Sequence, residues 1–151
     1  MDYVIQPLQS ADEPILWEML FEALQREGSD TTALRTLVRA PEFARYVEGW
    51  GRAGDAGFSA HHATDRKLLG AVWSRAPLGG SVPELALAVK SDHRGRGLGA
   101  ALLTQWVRAH PEQSAVSLRV APTNPAVRLY ERFGFRVVAQ DEHSVTMQRD
   151  G

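Results

Sequence analysis

The spacing of apolar residues changes along the chain, and each change predicts a helix or a strand. Residues 3–8 alternate between apolar and polar side chains, which indicates a first strand. Apolar residues then recur at helical spacing from Pro14, which stands near the first helical position, to an expected end at Gly28. A second helix is expected from Pro41 to residues 49–51. The polar stretch 29–40 has room for a short helix, but its pattern does not fix a position for one.

A period of two begins after residue 55. The runs 56–63 and 68–74 are joined by the polar connection 64–67, which is typical of an antiparallel hairpin. Residues 85–89 are apolar on both faces, as expected of a central buried strand. Further helices are expected over 97–109 and 125–133, and further strands over 116–120, 135–138 and 145–148. The order β-α-α-β-β-β-α-β-α-β-β predicts an α/β fold, in which about four helices flank a mixed central sheet.

Composition limits the class of protein more than its activity. The 151 residues have the length of one domain, and we expect a single domain over residues 1–151. A formal net charge of −1 gives no support for nucleic-acid binding, and no run approaches the roughly 20 apolar residues of a membrane span. The first residues lack the pattern of a signal peptide, so we expect a cytoplasmic protein without nucleic-acid or membrane partners. Because there is no cysteine and the five histidines lack ligand spacing, no metal site is expected.

The most informative segment joins the strand at 85–89 to the helix at 97–109. It reads Arg94-Gly95-Arg96-Gly97-Leu98-Gly99-Ala100, and places three glycines and two arginines at a helix N-terminus. The first N–H groups of a helix lack internal partners and carry partial positive charge, and glycine lets a phosphate approach the backbone. The segment therefore predicts a pyrophosphate site.

Other interpretations of this segment fit less well. Residues 95–100 satisfy the dinucleotide pattern G-x-G-x-x-G/A, but a Rossmann unit starts at the first strand and needs a carboxylate after the next one. Residues 118–121 contain no carboxylate. The Walker pattern is absent. A plain strand-to-helix turn does not explain why glycines alternate with arginines.

A second segment, over residues 120–138, carries a resemblance to a known family. It contains Asn124-Pro125-Ala126, followed by Leu129-Tyr130-Glu131-Arg132-Phe133-Gly134-Phe135. Together with residues 94–99, which fit the acetyl-CoA signature Q/R-x-x-G-x-G/A, it resembles the GNAT superfamily of N-acetyltransferases. The two motifs stand in the family's order and spacing, and with the preceding strand they cover roughly the C-terminal half. The resemblance implies a GNAT fold, in which two neighbouring parallel strands splay apart.

The same resemblance implies that acetyl-CoA lies between the strands that end at residues 89–90 and 120–121. The edge of the first strand would pair with the pantetheine amides, and the N–H groups of the glycine-rich turn would hold the pyrophosphate. The implied cofactor-binding residues are Leu87, Ala88, Val89, Arg94, Gly95, Arg96, Gly97, Leu98, Gly99, Ala100, Asn124, Arg128 and Tyr130. Asn124 has an alternative role as a helix N-cap ahead of Pro125, and the three arginines have one as solvated surface charges.

Two residues acquire catalytic roles from the resemblance. Because an ammonium has no lone pair, a base must take its proton, and Glu84 at the start of the first of these strands is the candidate base. Tyr130 stands where the family has a tyrosine acid that protonates the departing thiolate, and the N–H near Val89 would donate to the carbonyl oxygen. The alternatives are a solvent-facing charge for Glu84 and core packing for Tyr130. Weaker candidates for the base are Asp55, Glu18 and Glu22.

We therefore expect a metal-free, acetyl-CoA-dependent N-acetyltransferase that acts on a primary amine of a small molecule or peptide. A non-catalytic acyl-CoA sensor is the main alternative; a nicotinamide oxidoreductase is weakened by the missing carboxylate, and O-acetylation stays open. The residues expected near the acceptor are Trp17, Phe21, Tyr46, Trp50 and Trp73. Core packing also explains the tryptophans, and edge strands near the C-terminus favour a homodimer.

Overall fold

The computed structural model describes residues 2–25, 30–76, 82–90, 97–111, 113 and 115–150. Seven strands in these residues form one sheet: β1 (Tyr3–Pro7), β2 (Ala56–His62), β3 (Leu68–Arg75), β4 (Glu84–Val89), β5 (Ala115–Val120), β6 (Arg136–Gln140) and β7 (Val145–Asp150). The helices are α1 (Glu13–Leu24), α2 (Thr31–Leu37), α3 (Pro41–Ala44), α4 (Leu98–Ala109) and α5 (Ala126–Arg132), with a 3-10 turn at Ser10–Asp12. The predicted mixed α/β fold is confirmed.

The strand order is β1-β2-β3-β4-β5-β7-β6, and β4–β5 is the parallel pair among antiparallel neighbours. β6 forms one outer edge, and its Val137 and Val138 are exposed. The homodimer expected from such edges stays a prediction. None of the helices in the described part of the chain is long and apolar enough to cross a membrane.

Apolar residues cover both faces of the sheet. On one face α4 buries Leu102 and Trp106 against the strands, and the Trp106 Nε1 donates a hydrogen bond to Ser74 Oγ at 2.9 Å. On the other face α1 packs Leu16 and Met19 against Trp73. Because both faces are covered, the central strands read as apolar runs rather than as alternating patterns.

The region between α1 and β2 differs from the sequence prediction. The structure places α2 in the polar stretch, where the Asp30 side chain accepts hydrogen bonds from the N–H groups of Thr32 and Ala33. α3 ends at Ala44, well before the predicted end, and continues as turns to residue 49. At the helix end Arg45 Nε donates to the Glu42 carbonyl and the Tyr46 N–H donates to the Phe43 carbonyl, and the buried Arg75 holds the following turns by the carbonyls of residues 45, 48 and 49. The end expected for α1 at Gly28 lies outside the described residues, and the described helix ends at Leu24.

β4 and β5 pair at a single position, at the start of β4 and the middle of β5. Their ladder consists of one pair, Glu84 with Ser117, and the Ser117 N–H donates to the Pro83 carbonyl at 3.0 Å. Each strand is held by its other neighbour instead, since β4 pairs with β3 and β5 pairs with β7 over six residues each. The two parallel strands therefore separate towards their C-terminal ends, as the family resemblance implies.

Candidate active site

Two cavities meet in the gap between β4 and β5. The first cavity, of about 640 Å³, is lined by residues of α1, the α3 region, β4 and β5. The second cavity, of about 550 Å³, extends to the first turn of α4 and to α5. The lining residues that they share are Ala23, Leu87, Ala121, Asn124 and Tyr130. One continuous cleft therefore runs between the two strands, with Tyr130 where the cavities join.

The second cavity is bounded by the N-terminus of α4. Gly97 is the N-cap and has a φ of 81°, in the left-handed region that favours glycine. The first hydrogen bond within the helix runs from the Ala101 N–H to the Gly97 carbonyl at 3.0 Å. The N–H groups of Leu98, Gly99 and Ala100 precede it, and these residues line the cavity together with Gly97. The partial positive charge of the helix N-terminus and the N–H donors of its first turn thus favour binding of an anion at this end of the cleft.

β4 supplies the wall opposite this helix end. Leu87, Ala88 and Val89 all line the second cavity. An ideal Cβ on Gly99 would lie 3.4 Å from Leu129 Cδ2 and 3.8 Å from Leu87 Cδ2, so a single methyl group would bridge the narrow space between α4 and the strand. The remaining predicted residues of the turn, Arg94, Gly95 and Arg96, lie outside the described residues.

Asn124 and Arg128 occupy different positions relative to the cleft. Asn124 lines both cavities, and its Oδ1 accepts a hydrogen bond from the Ala126 N–H at 2.9 Å. The N-cap of α5 is Pro125, so this bond is a local turn just before the helix rather than the predicted N-cap role. Arg128 is exposed and belongs to the lining of neither cavity, whereas Arg132, one turn further along α5, lines the second. A cofactor contact stays a prediction for both Asn124 and Arg128.

Tyr130 is buried on α5, and the edge of its ring meets Phe135, with the ring centroids 5.8 Å apart. Within the described residues, no group forms a hydrogen bond to its hydroxyl. Burial raises the pKa of this hydroxyl above its usual value, so the phenol keeps its proton at neutral pH. A neutral phenol at the centre of the cleft can donate a proton to a group that enters it.

Glu84 begins β4 and is held by two neighbours. Arg45 Nη1 donates to Glu84 Oε1 at 2.9 Å, and the Tyr46 hydroxyl donates to Glu84 Oε2. The Glu84 side chain is 14% exposed and lines a third cavity, beside the cleft, of about 500 Å³. Arg45 and Tyr46 line both the third cavity and the first one. Tyr46 thus lies between the cleft and Glu84, the predicted base.

The weaker candidates for the base have other partners or positions. Asp55 is buried and forms an ion pair with Arg75, with one oxygen 3.1 Å from Nε and the other 3.1 Å from Nη2. Glu18 pairs with Lys90 at 3.0 Å. Glu22 is buried in α1. None of the three carboxylates lines the first or the second cavity.

Two of the residues expected near the acceptor line the first cavity: Tyr46 and Trp73. Trp17 and Phe21 border a separate surface cavity, where the guanidinium of Arg39 lies 3.8 Å from the Trp17 ring centroid. Trp50 is buried in the core under α1. These positions support the packing interpretation for most of the tryptophans.

Sequence reasoning missed part of the polar lining of the first cavity. Arg119 on β5 lines it, as does the turn at residues 141–144, in which Asp141 Oδ1 accepts the N–H groups of His143 and Ser144 at 2.8 Å each. Those two bonds hold the pKa of the Asp141 carboxyl below its usual range. The only signal for Arg119 is its polar place in the alternation of β5. No group of three histidine, aspartate or glutamate side chains within the described residues could hold a metal ion.

Comparisons with known proteins agree with this geometry. The family model described as an acetyltransferase (GNAT) domain matches residues 56–137. Over 92 residues the chain is 43% identical to mycothiol acetyltransferase of Corynebacterium aurimucosum; the match covers 59% of this chain and 26% of that protein. The match thus spans about a quarter of the length of that curated relative.

Solved structures share the fold over the whole chain. PaiA N-acetyltransferase from Thermoplasma acidophilum, in complex with coenzyme A, has a TM-score of 0.75 at 18% identity, with 100% of both chains covered. The ribosomal-protein-S18-alanine N-acetyltransferase of Escherichia coli has a TM-score of 0.67 at 17% identity, with 98% of this chain and 93% of that chain covered. At this level of identity these likenesses show the fold alone. The family match over residues 56–137 shows more: the chain belongs to the GNAT family of acetyltransferase domains.

Proposed function

We propose that the protein transfers the acetyl group of acetyl-CoA to a primary amine of a small molecule or peptide, by direct attack within a ternary complex. The observation that carries this proposal is the continuous cleft between β4 and β5, with Tyr130 at its centre. One end of the cleft has helix donors for an anion, and the other is a partly apolar cavity with its own polar groups. A cytoplasmic location belongs to the same proposal, because acetyl-CoA is a cytoplasmic metabolite.

The second cavity fits the long arm and the diphosphate of acetyl-CoA. Pantetheine carries amides that need hydrogen-bond partners, and three residues of β4, Leu87, Ala88 and Val89, line this cavity. The N–H groups at the start of α4, from Leu98 to Ala100, suit the pyrophosphate. A Cβ on Gly99 would be in ordinary contact with Leu129 and Leu87, so a side chain larger than methyl there would extend into the passage. Asn124 lies where the two cavities join, and in this proposal its side chain contacts the cofactor.

The proposed reaction joins the acceptor amine to the acetyl carbon. The ammonium loses a proton towards Glu84, and the freed lone pair attacks the thioester carbonyl. A C–N bond forms and the C–S bond breaks, so that coenzyme A leaves as a thiolate. Tyr130 gives its proton to the sulfur, and its neutral phenol at the junction of the cavities is suited to this role. The nitrogen then loses its second proton, which restores the phenol, so the products are the amide, coenzyme A thiol and the proton held by Glu84.

The nature of the first cavity supports a class of acceptor rather than a single compound. Its lining combines aromatic and aliphatic side chains, including Phe43 and Trp73, with charged side chains, including Glu42 and Arg119. Such a cavity suits an amine on an organic or peptide body. The name of the S18-alanine acetyltransferase, which shares the fold, gives an alanine of a ribosomal protein as the acceptor of that enzyme.

An amine panel with acetyl-CoA tests the proposed function. We expect release of coenzyme A thiol that depends on the amine, with spermidine, L-lysine, tyramine and an alanine-led peptide as probes. Mass spectrometry should find the acetyl group on nitrogen. If acetyl-CoA binds but no amine increases thiol release, the protein is an acyl-CoA sensor. If acetyl-CoA does not bind at all, both interpretations are wrong.

A further inference from the structure

We propose that the Tyr46 hydroxyl is the group that takes the proton of the acceptor ammonium, while it passes its own proton to Glu84. This inference rests on the proposed acetyl transfer and assigns its proton path. Tyr46 would be a catalytic residue, since it would touch the amine. Glu84 would act through it, and Arg45 would be a positioning residue for the carboxylate.

The cavities support this order of contacts. Tyr46 lines the first cavity, where the acceptor is proposed to bind, whereas Glu84 lines only the third cavity of those described here. The hydrogen bond from the Tyr46 hydroxyl to Glu84 Oε2 links the two. An amine in the first cavity therefore meets the phenol before it meets the carboxylate.

Arg45 orients the carboxylate towards Tyr46. Its Nη1 lies 2.9 Å from Glu84 Oε1 and its Nη2 lies 3.4 Å from Oε2, so both oxygens face a cation. The same guanidinium lies 4.3 Å from the centroid of the Tyr46 ring and 3.0 Å from the Tyr46 hydroxyl oxygen. This arrangement holds the phenol and the carboxylate in one geometry.

The backbone beneath this pair is fixed by β3. Trp73 Nε1 donates to the Tyr46 carbonyl at 3.0 Å, and Arg75 Nη1 donates to the Arg45 carbonyl at 3.2 Å. Both donors belong to buried side chains. The segment that carries Tyr46 is thus anchored to the strand next to β4, although it is not itself regular secondary structure. Preorganisation of this kind is what a proton relay needs.

The proton balance of the step is simple. An N–H bond of the ammonium breaks as an O–H bond to Tyr46 forms, and the original hydroxyl proton moves to Glu84. Tyr46 is neutral before and after the step, and Glu84 ends as a carboxylic acid. Burial and the Glu84 carboxylate raise the pKa of the Tyr46 hydroxyl, so the residue serves as a relay rather than as a phenolate base.

The charged groups around Tyr46 come from several elements. Arg45 belongs to the same segment, Glu84 to β4, Glu42 to α3 and Arg119 to β5, and the turn at residues 141–144 adds Asp141, Glu142 and His143 to the cavity. Rates are therefore measured from about pH 7.5 to about pH 9.5, above the range in which free histidine ordinarily titrates.

The test compares Tyr46→Phe, Glu84→Gln and the double variant with wild type, on the panel amine that wild type acetylates fastest. Because water can partly replace a lost hydroxyl, we expect kcat near pH 7.5 to fall about tenfold in each single variant, less than for loss of a direct base. Without the relay the reaction needs amine that is already neutral, so the deficit should shrink as pH rises towards the amine pKa. The double variant should lose no more than either single one.

Tyr3→Phe and Glu131→Gln are matched controls, since both side chains are exposed and neither lines any of the three cavities. We expect both to keep wild-type rates, and all variants to keep the wild-type circular dichroism spectrum and KM for acetyl-CoA. A deficit that is the same at every pH would mean that Tyr46 and Glu84 are structural, and would overturn the proposal. Unchanged kcat in Tyr46→Phe would also overturn it. Failure of wild type on every amine would instead reject the proposed function.

Discussion

Replacing Arg75 with methionine should lower the free energy of unfolding by about 3–5 kcal/mol, because the change leaves a buried carboxylate without its cation. Asp55 is the carboxylate, and the two side chains are 5% and 3% exposed. Methionine keeps most of the side-chain length, so loss of charge and hydrogen bonds is the main change.

The Arg75 guanidinium has more partners than one ion pair requires. Besides Asp55 it binds the carbonyls of residues 45, 48 and 49, at 3.2, 2.8 and 3.3 Å. Asp55 in turn accepts the N–H groups of Gly51 and Arg52, at 3.0 Å each. The loop between α3 and β2 is therefore tied to β3 mainly through this pair, with one further bond from Trp73 Nε1 to the Tyr46 carbonyl. Loss of the pair should loosen the loop and leave three carbonyls without their donor.

Urea unfolding of Arg75→Met, followed by circular dichroism, measures this loss. Arg136→Met is the matched control, because Arg136 pairs with Asp150 at 2.6 Å while both side chains are more than half exposed. An exposed pair contributes about 0–1 kcal/mol, so the control should unfold close to wild type. Equal midpoints for the two variants would contradict the structural role assigned to Arg75.

Replacing Tyr130 with phenylalanine should lower the rate of acetyl transfer by about a hundredfold or more, the usual range for loss of a general acid. The variant removes one oxygen atom, and that oxygen has no hydrogen-bond partner within the described residues. Stability should therefore change little, and the wall of the cleft should keep its shape. The rate is best measured in a single turnover, since release of coenzyme A then cannot mask the chemical step.

Two comparisons make the Tyr130 result specific. Tyr3→Phe should keep the wild-type rate, because Tyr3 stands on the outer strand β1. Acetyl-CoA affinity of Tyr130→Phe should stay close to that of wild type, because the expected loss concerns thiolate departure. A single-turnover rate within a factor of about two of wild type would remove Tyr130 from the mechanism.

Much of the fold follows from short-range patterns. Two apolar runs around a polar connection predict the hairpin formed by Ala56–His62 and Leu68–Arg75. A single apolar stripe predicts α4. The gap between β4 and β5 was implied by the family resemblance, through the motifs at residues 94–99 and 124–135. Those motifs concern local backbone, such as the positive φ of Gly97, and so they can be read in a linear sequence.

Other features depend on contacts between distant residues, which local patterns do not report. The turns that follow α3 are bound by Arg75, about 30 residues later, through the carbonyls of residues 45 and 48. Asp55 is a plain loop carboxylate in the sequence, and only the fold shows its partner. Arg45 and Tyr46 are 39 and 38 positions away from Glu84 in the sequence. The family resemblance therefore gave Glu84 as the candidate base but did not predict these two partners.

Calorimetric titration of acetyl-CoA into wild type and Gly99→Leu tests the central claim most directly, that the cosubstrate passes between α4 and β4. Leucine suits a helix better than glycine, so the variant should fold, while its side chain would fill the passage beside Leu129 and Leu87. Ala139→Leu, on the exposed strand β6, is the control. We predict one acetyl-CoA bound per wild-type chain, the same affinity in the control, and at least about a tenfold weaker affinity in Gly99→Leu, a loss of about 1.4 kcal/mol. Equal affinity in all three proteins, or no binding to wild type, would contradict the claim.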